Sequence, residues 1–172
     1  TDANLSTVAL DNDVDTIDLN GQAAVLTADQ ALLTINDTGV GGTHSVLDSV
    51  ANLTGDQGDL SAATSVTVQL AGDGTDANLS TVALDNDVDT IDANNQAAIL
   101  SVAQAALSVE LNGGSATAKL AGDGTDANLT GVSLDSDVAT IDLNGQAAVL
   151  TADQGLLTIN DTGVGGTHSV LD

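Results

Sequence analysis

The sequence predicts a repeat solenoid with a strand-rich α/β character, in which short parallel strands and short helices form coils of about 25 residues. A pure parallel β-solenoid is the alternative. Three observations support this fold class: long internal repeats, a shorter unit that recurs within them, and an aliphatic composition without aromatic residues. A thin core that is repeated many times can be filled by Leu, Val, Ile and Ala alone.

Long repeats organise the whole chain. Residues 1–48 align without a gap with residues 125–172 and differ at six positions, and residues 1–18 recur unchanged as 75–92. We interpret residues 1–172 as a single solenoid segment of about seven coils: a long repeat (1–74, three coils), a short repeat (75–124, two coils) and a truncated long repeat (125–172). Because no polar capping repeat is visible at either end, we expect the segment to belong to a longer chain.

The shorter unit begins with Ser or Thr, followed two residues later by Ala and soon afterwards by Leu. It starts at Thr1, Thr27, Ser49, Thr75, Ser101, Thr125 and Thr151. Each start predicts a short helix, because a Ser or Thr side chain can accept hydrogen bonds from the N–H groups of the first turn. Leu5, Val8 and Ala9 would share one helical face, and residues 96–107 are rich in good helix formers.

Strands are predicted where apolar and polar residues alternate, since alternation is typical of a half-buried strand. The apolar positions of these strands are Ile17 and Leu19; Val66, Val68 and Leu70; Leu107, Val109 and Leu111; and Ala116, Ala118 and Leu120. Turns are predicted at residues that tolerate a positive φ, namely Asn20-Gly21, Gly39, Gly72, Asn112-Gly113 and Gly122.

Composition excludes several functions. The chain carries 25 acidic residues, one Lys (Lys119) and no Arg, for a formal net charge of -24. It therefore cannot neutralise phosphates, which argues against binding to nucleic acid or to an anionic membrane surface. The longest uncharged run, 93–109, contains Asn and Gln residues and is not a membrane span. The 42% hydrophobic content favours an ordered chain over a disordered acidic one.

Alternating Asp residues are the first candidate metal ligands. They are Asp11, Asp13 and Asp15, then Asp85, Asp87 and Asp89, and finally Asp135 and Asp137, where Ala139 replaces the third acid. The pattern is similar to the opening of a calcium loop. An EF-hand is excluded, because Thr16 stands where Gly is required and Gln22 where Glu is required. The other interpretation is a solvated acidic edge that keeps the stacked strands soluble.

A Gly- and Asp-rich segment supplies the second set of candidates. AGDGTDANL occurs at 71–79 and again at 121–129, and it resembles the nonapeptide of RTX proteins at Gly72, Gly74 and Asp76. Ala71 replaces the first Gly, and Asn78 stands where an apolar residue belongs. The candidate calcium ligands are Gly72, Asp73, Asp76, Gly122, Asp123 and Asp126. Alternatively, the segment is a turn from which Thr75 caps the next helix.

In composition and repeat pattern the whole chain resembles the repeat regions of giant secreted bacterial surface proteins: RTX-type adhesins, S-layer proteins and sheath or filament proteins. The resemblance implies an extracellular or cell-surface location, calcium as the stabilising ion, and copies of the same chain as partners. Cell-surface polysaccharide is a further partner that it suggests.

We do not interpret the chain as an enzyme. His44 and His168 occupy the same repeat position, in GGTHSVLD, with Ser45 adjacent to the first. A catalytic His would need an oriented carboxylate and a nucleophile in a pocket, and sequence adjacency does not provide them. The predicted function is therefore a structural solenoid of a filament, sheath, S-layer or adhesin stalk. The alternative is a binding module for ice or carbohydrate on the same scaffold.

Overall fold

A computed structural model describes residues 3–171 and confirms the solenoid. These residues form a parallel β-solenoid of about eight turns with very little helix. The chain divides into two compact units, Thr1–Gln69 with Ala83–Thr90 and Leu70–Val82 with Ile91–Asp172. Among residues 3–171, no helix has the length and apolar character needed to cross a bilayer.

The regular elements are short and are joined by turns. In chain order they are β1 (Ala3–Asn4), β2 (Thr16–Asp18), β3 (Ala23–Leu26), α1 (Ala28–Ala31), β4 (Thr34–Asn36), β5 (Thr43–Ser49), β6 (Val66–Gln69), β7 (Thr90–Asp92), β8 (Ala97–Ser101), a 3-10 helix (Gln104–Ala106), β9 (Ser108–Glu110), β10 (Ser115–Lys119), β11 (Val138–Asp142), β12 (Ala147–Thr151), a second 3-10 helix (Gln154–Leu156), β13 (Thr158–Asn160) and β14 (Thr167–Leu171).

In the first unit, equivalent strands of successive turns pair in parallel. β1, β3, β5 and β6 follow one another in one sheet, and β2 pairs with β4 beside it. The core of this unit contains Ile17, Leu19, Ala24 and Leu26. Leu53 and Leu60, from the loop between β5 and β6, are also fully or almost fully buried.

The second unit repeats the arrangement. β8, β10, β11 and β13 form a parallel sheet, and β12 pairs with β14. Its core is aliphatic throughout and contains Val102, Leu120, Leu129, Ile141, Leu143, Ala148 and Leu150. The predicted alternation is confirmed here, because Ala116, Ala118 and Leu120 are buried while Thr117 and Lys119 are partly exposed.

Most of the predicted helices are absent. Of the starts within the described residues, Thr27 alone begins an α-helix, Ser101 and Thr151 precede 3-10 helices, and Ser49, Thr75 and Thr125 lead into turns. Thr1 lies outside the described residues. The segment 96–107 forms strand β8 (Ala97–Ser101) followed by the 3-10 helix Gln104–Ala106 rather than an α-helix, since Ala98 and Leu100 alternate into the core and pair with β10. Burial across coils outweighs helix propensity, which is weak for such short segments.

Coils are shorter than predicted. The offset between paired strands ranges from 18 residues, where Thr16 lies opposite Thr34, to 23 residues, where Thr117 lies opposite Thr140. The predicted spacing of 25 was the average distance between the Ser or Thr starts, whereas the length of a coil is given by the offset between paired strands.

Candidate functional site: acidic turns between coils

In the second repeat (75–92), the three alternating Asp residues bind the main chain of a neighbouring segment. Asp85 is buried, and its Oδ2 accepts a hydrogen bond from the Gln57 N–H at 2.7 Å. Asp87 accepts one from the Leu60 N–H at 2.7 Å, and Asp89 accepts one from the Val66 N–H at 3.0 Å. The three carboxylates thus form a row of hydrogen-bond acceptors for main-chain N–H groups of the segment 57–66.

The identical triplet of the first repeat (1–18) is exposed. Asp11, Asp13 and Asp15 all face solvent, and the hydrogen bond formed there is local, from the Asp13 N–H to Asp11 Oδ1 at 3.0 Å. The difference follows from packing alone, because residues 1–18 and 75–92 have the same sequence.

The third repeat (125–142) shows why its last acid can be lost. Asp135 accepts the Asp137 N–H at 2.9 Å, and its own N–H donates to the Ala105 carbonyl at 2.8 Å. Strand β11 already begins at Val138 and pairs directly with β10, with a bulge between Ala116 and Thr117. Ala139 lies at this bulge, since Val138 and Thr140 are the residues that face β10 on either side of it.

The two Gly- and Asp-rich turns are closed by hydrogen bonds. Asp76 accepts the Ala71 N–H at 3.0 Å and the Gln96 amide at 3.1 Å, while the Gly74 N–H donates to Gln96 Oε1 at 2.8 Å. The second turn repeats this pattern, with Asp126 accepting from Ala121 and Gln146 at 2.9 and 2.7 Å. Both carboxylates are therefore acceptors within the fold.

Gly72 and Gly122 permit a close approach between turns. Gly72 has a φ of +79°, and a Cβ added there would lie 2.9 Å from Asn94 Nδ2. That Asn94 amide donates to the Leu70 carbonyl at 2.8 Å. A side chain at Gly72 would displace this hydrogen bond and strain the backbone.

Asp73 and Asp123 are fully exposed, and each binds the Thr two residues later. The Thr75 hydroxyl donates to Asp73 at 2.6 Å, and the Thr125 hydroxyl donates to Asp123 at 2.7 Å. The hydroxyl and main-chain hydrogen bonds from Thr75 lower the pKa of Asp73, and the corresponding bonds from Thr125 lower the pKa of Asp123. The prediction that Thr75 caps a helix is wrong, because its hydroxyl donates to Asp73 and the residues that follow form a turn.

A further set of acids was not singled out from the sequence. Asp142 accepts from the Thr162 main chain at 2.8 Å and from its hydroxyl at 2.6 Å, and it forms a 3.5 Å ion pair with Lys119. Burial alone would raise the pKa of Asp142, but these hydrogen bonds, one from Asn144 and the Lys119 charge together lower it. Its repeat equivalent, Asp18, binds Thr38 in the same way, and hydrogen bonds from the Thr38 main chain and hydroxyl lower its pKa.

Buried glutamines connect adjacent coils and were also missed. Gln30 donates to the carbonyls of Leu5 and Val8 at 3.0 and 2.8 Å, and Gln154 donates to those of Leu129 and Val132 at 3.0 and 2.9 Å. Each of the two also forms a reciprocal capping pair with the preceding Thr. The sequence signal for these residues is that Gln recurs at the same repeat position among apolar neighbours. A polar residue in such surroundings indicates a buried hydrogen bond.

The two His residues occupy different environments. His44 is 8% exposed, whereas His168 is exposed. Burial lowers the pKa of His44. The Thr64 N–H and hydroxyl both bond to the His44 carbonyl, so the coil that contains Thr64 covers this position.

The predicted metal ligands are not gathered into one site. Within residues 3–171, no three His, Cys, Asp or Glu side chains are grouped so that they could hold a metal ion. Two equivalent open grooves do occur, one lined by 6–14 and 27–33 together with Asn52, and one lined by 130–138 and 151–157. Their volumes are about 550 and 490 Å³. In the part of the chain that the structure describes, every buried side-chain N or O atom has a hydrogen-bond partner.

Comparison with known proteins gave no match: no family model, no curated protein and no solved structure is similar to the chain.

Proposed function

We propose that the chain is a non-enzymatic structural segment of an extracellular repeat protein that builds a filament, sheath, S-layer or adhesin stalk. The observation that carries this proposal is the use of carboxylates as acceptors for main-chain N–H groups of neighbouring segments. Asp85, Asp87 and Asp89 have this role along residues 57–66. Acids used in this way support the stacking of coils, which is the property that a stalk or fibre requires.

Composition supports an extracellular setting for this role. Cys and Met, the residues most easily oxidised, are both absent, as are aromatic residues. A chain with 25 acids and one Lys also resists uncontrolled lateral association, because like charges repel.

Calcium is part of the proposal because the chain is strongly negative. The net charge of -24 opposes the approach of any two copies of the chain. Since the described residues contain no group of three potential ligands, we propose that calcium bridges exposed carboxylates such as Asp11, Asp13 and Asp73 on neighbouring copies. Divalent ions bound by carboxylates from two molecules would offset the repulsion more effectively than monovalent salt.

Sedimentation velocity and electron microscopy of the 172-residue chain test this proposal. Samples in NaCl and CaCl2 at equal ionic strength separate ion binding from screening. We expect elongated assemblies that grow with protein concentration and that calcium promotes more than sodium does. A monomer at all concentrations in both salts would contradict the assembly, and equal promotion by the two salts would contradict calcium.

One observation favours the alternative, a binding module. Thr117, Thr140 and Thr158 lie opposite one another on three successive coils of the second unit, and Thr16 lies opposite Thr34 in the first. Aligned Thr ranks are the feature that an ice-binding face would need. However, the positions two residues further on are Lys119, Asp142 and Asn160, so a second Thr rank is missing. Thermal hysteresis of a concentrated solution tests this alternative. Hysteresis that is lost in Thr140→Leu and retained in Thr162→Val would establish it.

A further inference from the structure

The segment DANL is present three times and is followed each time by Ser or Thr. Each copy therefore contains an N-x-S/T tripeptide, with Asn at positions 4, 78 and 128. The side-chain amide nitrogen of this Asn is the acceptor atom of N-linked glycosylation, which takes place on surface loops of secreted proteins. Three further N-x-S/T tripeptides begin at Asn36, Asn52 and Asn160. Because the tripeptide alone is a weak signal, hydrogen bonding and exposure decide which of the six fit a modification site.

The three DANL copies share one local geometry. Asn78 Oδ1 accepts the Ser80 N–H at 3.1 Å and the Ser80 hydroxyl at 2.7 Å. The same two bonds join Asn128 to Thr130, at 3.1 and 2.8 Å, and Asn4 to Ser6, at 3.0 and 2.7 Å. Since a main-chain N–H is a donor only, the atom that it bonds is the amide oxygen, and Nδ2 is the branch that remains for another partner.

The neighbouring coil fixes the main chain here and leaves the Asn side chain in solvent. Leu79 is fully buried, and its N–H donates to the Ile99 carbonyl at 2.8 Å. Leu129 is also fully buried, and its N–H donates to the Val149 carbonyl at 2.9 Å. The Asn that precedes each Leu is exposed. Within residues 3–171, Nδ2 of neither Asn has a hydrogen-bond acceptor, so this atom is accessible to an incoming group.

A fourth tripeptide, which begins at Asn52, has the sequence N-L-T of residues 128–130 but different hydrogen bonds. Asn52 is exposed as well, yet its Nδ2 donates to Asp48 Oδ1 at 2.8 Å. The Thr54 hydroxyl donates to the Val50 carbonyl at 2.6 Å and not to the Asn. The two N-L-T copies therefore differ in side-chain hydrogen bonding and not in the acceptor tripeptide.

The remaining two tripeptides, N-D-T at 36–38 and 160–162, also use their hydroxyls elsewhere. The Thr38 hydroxyl donates to Asp18, and the Thr162 hydroxyl donates to Asp142. In the described part of the chain, only the DANL copies have a hydroxyl that is bonded to the Asn of its own tripeptide.

We propose that Asn4, Asn78 and Asn128 are N-glycosylation sites, to which a sugar chain is transferred from a lipid-linked glycosyl diphosphate. The three sites occupy one repeat position, at offsets of 74 and 124 residues from the first. The inference rests on the extracellular location in the proposed function, because this transfer takes place on exported chains. It does not depend on assembly of the chain.

The hydrogen bonds at Oδ1 suit this reaction. An amide nitrogen is a weak nucleophile, since its lone pair is delocalised into the C=O group. Two donors at Oδ1 polarise the amide and make the Nδ2 protons more acidic. In the transfer, the bond from Nδ2 to the sugar C1 forms and the C1–O bond of the donor breaks. The diphosphate leaves with the electron pair, and one Nδ2 proton passes to a base of the transferase.

Transfer to the folded chain in vitro tests the sites. The probe is a purified oligosaccharyltransferase that requires only N-x-S/T, with a polyprenyl-diphosphate-linked oligosaccharide as the donor. Intact mass and peptide mapping locate the sugars. We expect transfer at Asn128 to exceed transfer at Asn52 by about tenfold, because the charge-assisted bond from Asn52 to Asp48 must break before Nδ2 can react. Synthetic peptides that span Asn52, Asn78 and Asn128 are the unfolded controls and should accept the sugar equally well.

Two kinds of variant sharpen the comparison. Asn78→Gln and Asn128→Gln should each remove one sugar chain and leave the other sites occupied. Asp48→Ala releases the Asn52 amide and should raise transfer at Asn52 toward the level at Asn128. Asp56→Ala, which removes another exposed acid of the same loop, should leave transfer at Asn52 unchanged. Thermal melts of all four variants confirm that the chain remains folded.

The outcomes separate this inference from the proposed function. Equal transfer at Asn52 and Asn128 in the folded chain would overturn it, as would unmodified Asn78 and Asn128 in a folded chain whose peptides are modified. Either result leaves the assembly of the chain untouched. Conversely, a chain that is modified at the three sites and sediments as a monomer in both salts would contradict the filament and support the sites.

Discussion

The pentapeptide THSVL occurs twice in the chain, at 43–47 and at 167–171, and the two copies differ in burial. In the first copy Val46 is 1% exposed, and its N–H donates to the Ser65 carbonyl of the next coil. In the second, Val170 is 47% exposed. Both copies pair on their other edge with an equivalent strand, β3 or β12. A coil of this solenoid is thus completed by the coil that follows it.

The same lesson comes from the identical segments LDNDVD at 10–15 and 84–89. Asp85 is buried with two main-chain donors, whereas Asp11 is exposed with one local donor. The same Asp is therefore a solvated charge in one repeat and a buried hydrogen-bond acceptor in the other, where a neighbouring segment covers it. Substitutions at these matched positions measure how much the covering segment contributes to the free energy of unfolding.

The largest expected difference is between Val46→Asp and Val170→Asp. A carboxylate at position 46 would be buried without a partner, which should lower the free energy of unfolding by more than about 3 kcal/mol. At position 170 the carboxylate would reach water, and the change should stay within about 0.5 kcal/mol. Urea denaturation followed by circular dichroism measures both. Similar losses would show that β14 is covered in solution.

A smaller difference is expected between Asp85→Ala and Asp11→Ala. Removing the Asp85 carboxylate leaves the Gln57 and Asp87 N–H groups without their acceptor, which should cost about 1–3 kcal/mol. Asp11→Ala removes an exposed negative charge from a highly acidic chain and should be neutral or slightly stabilising. Thermal melts in low salt compare the two variants. Equal destabilisation would contradict the role of Asp85 as an acceptor for the segment 57–66.

The smallest expected effect concerns pH and His44. Burial lowers the pKa of His44 below its ordinary value of 6.5, so the unfolded chain binds a proton more readily than the folded chain does. This contribution to stability is present above pH 6.5 and is lost as the pH falls through 6.5 toward the lower folded pKa. Melting temperatures between pH 7.5 and 5.5 should therefore fall with acidification. His44→Gln should flatten this slope and His168→Gln should not; equal slopes in all three proteins would contradict the prediction.

Much of the fold was accessible from the sequence because its signals are local. Alternation at 66–70 and 116–120 identified two buried strands, and Asn20, Gly72 and Asn112 mark turns with positive φ. The helix predicted within 96–107 is wrong for Ala97–Ser101, since these residues favour a helix by propensity but form a strand. Pairing of Ala97–Ser101 with β10 made them a strand, and that partner lies 18 residues away.

In the candidate site, too, some features are predictable from the sequence and others depend on the tertiary structure. The acidic positions themselves were evident, but their partners were not: Asp85 meets Gln57, and Asp76 meets Gln96. A carboxylate that binds a cation and one that accepts a main-chain N–H have the same sequence pattern. Deciding between them needs the position of the neighbouring coil.

The sequence by itself determined that the chain is a repetitive, aliphatic, strongly acidic solenoid, because periodicity and composition are properties of the residues alone. Only the tertiary structure decided which identical residues are buried. Asp11 and Asp85, or Val46 and Val170, have the same local sequence and differ in whether another coil lies against them. The physical reason is that hydrogen bonding and loss of water depend on what is adjacent in space, and in a solenoid the adjacent residues come from a neighbouring coil.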